Sequence, residues 1–199
     1  LKIKNRNLLD NTFEIIKSIG INKIKINTYY LGDQIKKYIE QKGNSSNIKI
    51  VSDGKKILDT GGGIYNLIQN EKEEDFITFN PDTLWNSKYI ETINKMQNYY
   101  FNNSIKNLLM VVKKNKSFDD RLKGDFILNN NKLSKQSKND FIFTGCQILN
   151  KKIFNNVDKK VFSMSEIWDN LIEKNELCGF ESPNDFLHIT DIEIFNKLS

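Results

Sequence analysis

Two stretches of the chain combine residue types that could do chemistry. In Ile57-Leu58-Asp59-Thr60-Gly61-Gly62-Gly63-Ile64, three of the chain's ten glycines stand in a row. Glycine forfeits backbone entropy and packs nothing. A run of three therefore answers either to positive φ or to something that must come very close to the backbone, a ligand or a tight crossing. Amides bare of Cβ can approach a base or a phosphate, and a helix N-terminus just beyond them favours negative charge. The run lacks both GxGxxG spacing and the Gly-Lys-Ser/Thr end of a P-loop, so neither label applies. In Phe79-Asn80-Pro81-Asp82-Thr83-Leu84-Trp85 an acidic residue directly follows an apolar strand. There the Asp82 carboxylate could hold Mg²⁺, and the ion could neutralise phosphate oxygens. Asn, Pro and Asp also favour turns, so by itself the segment reads first as an ordinary turn, and the metal reading draws its weight from the glycines.

The elements that must position these residues follow from hydrophobic periodicity. Strands are predicted at 24–28, 48–51, 75–79 and 108–112, alternating with helices at 31–41, from 64 onward after the glycines, and at 87–100. This alternation argues for an α/β sheet with helices on both faces, whose ligands gather beyond the carboxyl ends of the strands. Beyond Lys113 the rhythm changes to closely spaced strands at 125–128, 132–134 and 141–148, with Asn129-Asn130-Asn131 as a turn, so mixed or antiparallel pairing is expected there. Ser163-Met164-Ser165-Glu166 is a capping box heading a helix that carries Trp168, Leu171 and Ile172. Gly43 to Asn47 and Asn129 to Lys138 are the most polar loops, too short to divide the chain, so a single domain is expected over 1–199.

Composition bounds the function. With 38% hydrophobic and 28% charged residues and no apolar run of membrane-spanning length, the chain reads as a soluble globular protein. The basic opening has no apolar export signal, so the cytoplasm is the expected compartment and no membrane partner is expected. The net charge of +5 is spread among asparagines along the whole chain, not gathered in a stripe, which argues against nucleic acid as a partner. Cys146 and Cys178 lack zinc-site spacing and read as free thiols.

"LDTGGGI" followed by a strand ending in "NPDTLW" resembles the sugar-phosphate nucleotidyltransferases. The similarity runs on through "FDDRLKGDFIL", "FTGCQIL", "FSMSEIWDNLIEKNELCGF" and "FLHITDIEIFNKL". It is nearest to the branch of N-acetylmuramate α-1-phosphate uridylyltransferases and mannose-1-phosphate guanylyltransferases. The resemblance implies a Rossmann-like three-layer domain with a mixed, mostly parallel sheet. It implies transfer of a nucleoside monophosphate from UTP or GTP to a sugar 1-phosphate, with Mg²⁺ as cofactor. By the same resemblance, Thr60, Gly61, Gly62, Gly63 and Ile64 face the nucleotide, and Asp82 is the catalytic, metal-binding aspartate. Asp125, Thr144 and Gly145 belong to the sugar side.

Several departures accompany the resemblance. Asp59 stands where glutamate is common, and Pro81 replaces a glycine, which removes both positive φ and an amide donor. His188, the chain's one histidine, occupies the place of a second metal-binding carboxylate, so it is expected at the metal or as an ordinary strand residue. The family's first strand and its arginine- and lysine-bearing glycine-rich loop do not precede Leu1. The alternative expectation is accordingly a nucleotide or nucleotide-sugar binding protein of the same fold with impaired turnover.

Overall fold

The computed structural model describes residues 1–43 and 45–199, so Asn44 of the predicted polar loop lies outside the described residues. In chain order the elements are β1 (Lys2–Ile3), β2 (Arg6–Asn7), α1 (Leu8–Ser18), β3 (Ile24–Thr28), α2 (Gly32–Gln41), β4 (Ile48–Ser52), α3 (Asp59–Ile68) and β5 (Asp75–Phe79). Then follow α4 (Lys88–Asn102), β6 (Asn107–Lys113), β7 (Ile127–Asn129), β8 (Lys132–Ser134), β9 (Phe141–Asn150), α5 (Met164–Glu173), β10 (Cys178–Glu181) and α6 (Ile192–Leu198). No helix among the described residues is long and apolar enough to cross a membrane.

The chain divides into two compact units. One comprises Leu1–Gly20, Ile77–Leu149 and Leu171–Ser199; the other comprises Ile21–Phe76 and Asn150–Asn170. The first unit is built on a six-stranded sheet in the order β5-β9-β6-β10-β8-β7. Its central strand β6 reads Asn-Leu-Leu-Met-Val-Val-Lys, an almost unbroken apolar run of the kind a strand covered on both faces requires, and Leu108 to Val112 are fully buried. β6 pairs parallel with β10 and antiparallel with β9. One face of α4, carrying Tyr89, Ile93, Met96 and Tyr100 at helical spacing, packs with Trp85, Leu108, Met110, Cys146 and Ile148 and with Ile15 of α1.

The second unit holds a right-register parallel pair, β3 beside β4 from Ile24↔Ile48 to Thr28↔Ser52, joined through α2. The sheets are mixed, as expected, but the expected weight of parallel pairing is confined to β3–β4 and β6–β10; β6–β9, β8–β10 and β7–β8 are antiparallel. The short connections beyond Lys113 account for this, since closely spaced strands can only double back.

Most predicted elements stand within a residue or two of their expected ends. The strand expected from Asp125 starts at Ile127, with Phe126 making only an isolated bridge to Phe141. The expectation that a helix opens after the glycines is corrected: α3 starts at Asp59 and the three glycines lie inside its first turns. α1, β10 and α6 were not anticipated from the sequence. The β7–β8 hairpin closes on Asn130 and Asn131, both left-handed at φ 47° and 59°, the two-residue turn that matches strand twist. Asparagine tolerates that conformation and a β-branched residue does not, so Asn130→Val is expected to cost about 1–2 kcal/mol in urea unfolding. Asn130→Gly should be neutral or stabilising.

Candidate functional site

In the second unit, the glycine run is a crossing point of the chain with itself. Asp59, not a glycine, takes the left-handed conformation at φ 62°, and its Oδ1 accepts the Thr60 N–H at 2.6 Å. Both Gly61 N–H and Gly62 N–H donate to the Phe162 carbonyl, each at 3.0 Å. A Cβ on Gly61 would sit 2.5 Å from the Phe162 ring, one on Gly62 would run into the Lys160 carbonyl oxygen, and one on Gly63 would lie 2.7 Å from Asn27 Nδ2. Of the alternatives posed by the sequence, the tight crossing is the one the structure displays, and the amides expected to face an anion are already committed at Gly61 and Gly62. Thr60 is exposed and Ile64 half-buried. The Thr60 hydroxyl accepts the Met164 N–H at 2.9 Å, where α5 begins, and the predicted capping box is present, with Glu166 accepting the Ser163 N–H at 3.2 Å. Beside the glycines, Asp53 accepts from Asn27 at 3.1 Å and from Asn66 at 3.3 Å. Sequence reasoning passed over this cluster because its members sit on three different elements.

In the first unit, the segment after β5 is pinned along both sides. Asn80 N–H donates to the Gly145 carbonyl at 2.8 Å, and Trp85 Nε1–H returns to the Asn80 carbonyl at 2.9 Å. Gly145 has φ +87°, and a Cβ there would lie 2.6 Å from Asn80 Cβ, so the room this glycine makes is filled by Asn80. Across the segment, Leu84 N–H donates to Leu187 O at 2.8 Å and Ile189 N–H to Asp82 O at 2.9 Å, a short antiparallel strap that sets Thr83 opposite His188.

These bonds bring Asp82, Thr83, Thr144, Gly145 and His188 together. Asp82 is about half exposed as a side chain (47%), yet its Oδ1 is buried and has no hydrogen-bond partner. His188 Nδ1 lies 3.6 Å from that oxygen and 3.3 Å from Thr83 Oγ1. The Thr83 hydroxyl has one proton and spends it on the Thr144 carbonyl at 2.8 Å, so toward His188 it can only accept. The neutral ring therefore carries its proton on Nδ1, and Nε2 keeps the lone pair. Thr144 is itself 1% exposed and donates its hydroxyl to Met110 O at 3.0 Å, a bond inside the sheet. Asp125 Oδ2 accepts the Phe143 N–H at 2.8 Å; burial of the carboxylate raises its pKa, opposed by that bond and by Lys135.

A second polar group lies along the same strap. Asp119 is held by a two-pronged Arg121 contact, Nε to Oδ1 at 2.7 Å and a terminal nitrogen to Oδ2 at 2.8 Å, and by the Thr190 hydroxyl at 2.6 Å. The Arg121 bonds hold its carboxyl well below the usual carboxylate range, against the opposing effect of burial. Asp119 and Arg121 stand in the quoted "FDDRLKGDFIL", but nothing in their spacing marked them out.

No protein-family model matches the chain, and no curated protein matches it in sequence. Solved structures match it in fold. HddC from Yersinia pseudotuberculosis has a TM-score of 0.78 at 18% identity, over 100% of this chain and 86% of that one, and has also been solved in complex with GMP-PN. The inositol-1-phosphate CTP transferase from T. maritima has a TM-score of 0.77 at 12% identity, over 98% and 80%. A putative glucose-1-phosphate thymidylyltransferase from Bacillus anthracis has a TM-score of 0.74 at 13% identity, over 100% and 83%. The chain has the Rossmann-like fold of sugar-phosphate nucleotidyltransferases.

Two outcomes follow from the geometry. Gly62→Ala should destabilise the protein by about 1–3 kcal/mol with no ligand present, because its methyl meets backbone; hydrogen exchange should quicken together in 58–68 and 160–163. In Thr83→Val, long-range ¹H–¹⁵N spectra of the single histidine should lose the Nδ1–H pattern expected of the parent.

Proposed function

We propose that the chain, whose fold is that of enzymes joining nucleotides to sugar phosphates, transfers a nucleoside monophosphate from UTP or GTP to a sugar 1-phosphate. An oxygen of the sugar phosphate attacks the α-phosphorus in line, a new phosphoanhydride forms, and pyrophosphate leaves with the electron pair of the broken bond. Nothing covalent is asked of the protein, so its work is positioning and charge neutralisation. The observation that carries this reading is the buried, unpartnered Asp82 Oδ1 at the end of β5, a carboxylate oxygen left open in a place where every neighbouring polar group is satisfied. Such an oxygen suits a hard divalent cation, and Mg²⁺ held there would offset the charge of the phosphates.

In this reading Asp82 holds the cation. His188 contributes Nε2, since its Nδ1 is committed to Thr83. Thr60 to Ile64 border the nucleotide, with the glycines keeping the turn low against 160–162 while their amides stay at home. Asp125 acts through the Phe143 amide to hold the strand bearing Thr144 and Gly145 on the sugar side. The reaction draws on cytoplasmic nucleoside triphosphate and yields a nucleotide sugar.

A second reading, a nucleotide or nucleotide-sugar binding protein without turnover, is favoured by one feature. Imidazole is a poorer Mg²⁺ partner than the carboxylate it stands for, and here one of its nitrogens is already engaged. Titration with UTP, GTP and their nucleotide sugars, with and without Mg²⁺, beside a pyrophosphate-release assay, separates the two: tight Mg²⁺-dependent binding with no release sustains the second.

Asp82→Asn should weaken Mg²⁺-dependent nucleotide binding at least about tenfold, a loss of about 1.4 kcal/mol. The melting temperature should stay nearly unchanged, because Oδ1 gives up no hydrogen bond. Undiminished binding in calorimetry would remove Asp82 from the site.

A further inference from the structure

Among the described residues, Asp119 is the one charged side chain in the buried class, at 3% exposure. Burying a carboxylate is costly unless it is paired and fully hydrogen-bonded. This one is: besides the Arg121 fork and Thr190, its Oδ1 accepts the Arg121 backbone N–H at 3.1 Å. Arg121 then reaches past it, to Asp191 Oδ2 at 2.8 Å and Glu193 Oε2 at 3.1 Å. Asp191 in turn caps α6, its Oδ1 accepting the Ile194 N–H at 2.9 Å.

What this assembly grips is the strap that carries His188. The strap is fastened at its start, where Phe186 N–H donates to Lys116 O at 2.8 Å and Phe118 N–H donates to Phe186 O at 2.9 Å. It is fastened in the middle by the two bonds to Asp82 and Leu84. Beyond Ile189 the holds come from Asp119 and Arg121, on Thr190 and Asp191. The imidazole has only modest ties of its own: the 3.3 Å approach to Thr83 and a parallel stack on Phe186 at 5.5 Å between ring centres. Its orientation is therefore set mainly by where the backbone on either side is held.

We propose that Asp119 and Arg121 are positioning residues that clamp the far end of the strap and so keep the His188 imidazole aimed beside Asp82. The consequence for ligand binding rests on the reading of Asp82 and His188 as the cation site; the clamp itself does not. Partners that orient a ligating group from behind typically change metal affinity by 10–100-fold when removed.

Because His188 is the only histidine, its ring resonances report this one position in the full-length chain. Two variants test the clamp: Thr190→Val, which removes a single hydroxyl with little change of shape, and Arg121→Gln, at a half-exposed side chain. Both should move and broaden the His188 ring signals toward those of a solvent-exposed imidazole in the ligand-free protein. Both should also weaken Mn²⁺ binding, followed by paramagnetic broadening of the same signals, about tenfold. Ring signals left in place in both variants would overturn the proposal even if the melting temperature fell, since the pair would then be a support for the fold alone. If Arg121→Gln fails to fold, Thr190→Val decides. Mn²⁺ leaving the parent ring unbroadened would sink the cation site, while displaced ring signals in the variants would still sustain the clamp.

Discussion

Backbone pairing on both sides of the five residues from Asn80 to Leu84 is the constraint from which the site follows. On one side the segment is tied to Gly145, on the other to Leu187 and Ile189. Each bond contributes only about 1 kcal/mol net, but together they leave the chain no alternative path, and the carboxylate of Asp82 comes to lie where β5 delivers it. The demand propagates outward. Gly145 must be glycine because its φ is +87° and because Asn80 occupies the space of its missing side chain. Thr83 must give its proton to Thr144, and that choice fixes which nitrogen of His188 holds a hydrogen.

The glycines of this chain are used to let backbone meet backbone. Gly62 admits the Lys160 carbonyl and Gly124 the Asn139 carbonyl, each at a separation no Cβ would permit. At Gly61 and Gly62 the crossing strand also supplies the acceptor for two helix-start amides, groups that a helix otherwise leaves unmet. Three helical glycines, each less favourable than alanine by about 0.8–1 kcal/mol, are tolerated because the crossing is impossible without them.

The alternation of strands and helices was readable because each element carries a strong period: the β6 run is continuous, and α4 repeats its apolar residues every three or four positions. Asp82 was readable because a carboxylate directly after an apolar strand is locally conspicuous. The position of the glycines relative to α3 was not, since their use depends on Phe162, a hundred residues on, and helix propensity argues against placing them in a helix. Nor could spacing show that His188 faces Thr83, or that Asp119 is buried: both facts come from pairings between segments far apart in sequence. The resemblance to nucleotidyltransferases placed Asp82 and His188 near one another, yet gave no hint that Thr144 turns its hydroxyl into the sheet.

The first unit is assembled from three separate stretches of chain, and β6, its central strand, finds its parallel neighbour β10 only after β7, β8, β9 and α5 have been made. During vectorial synthesis a nascent chain that has emerged through β9 has one flank of β6 paired and the other bare, an apolar edge with donors and acceptors unspent. Closing that edge requires contacts of high sequence separation, which form slowly. The polypeptide thus passes through a stage in which its most hydrophobic strand is half-covered, a natural client for a holding chaperone. The strap with His188 comes later still, so folding competence is reached before chemical competence can be.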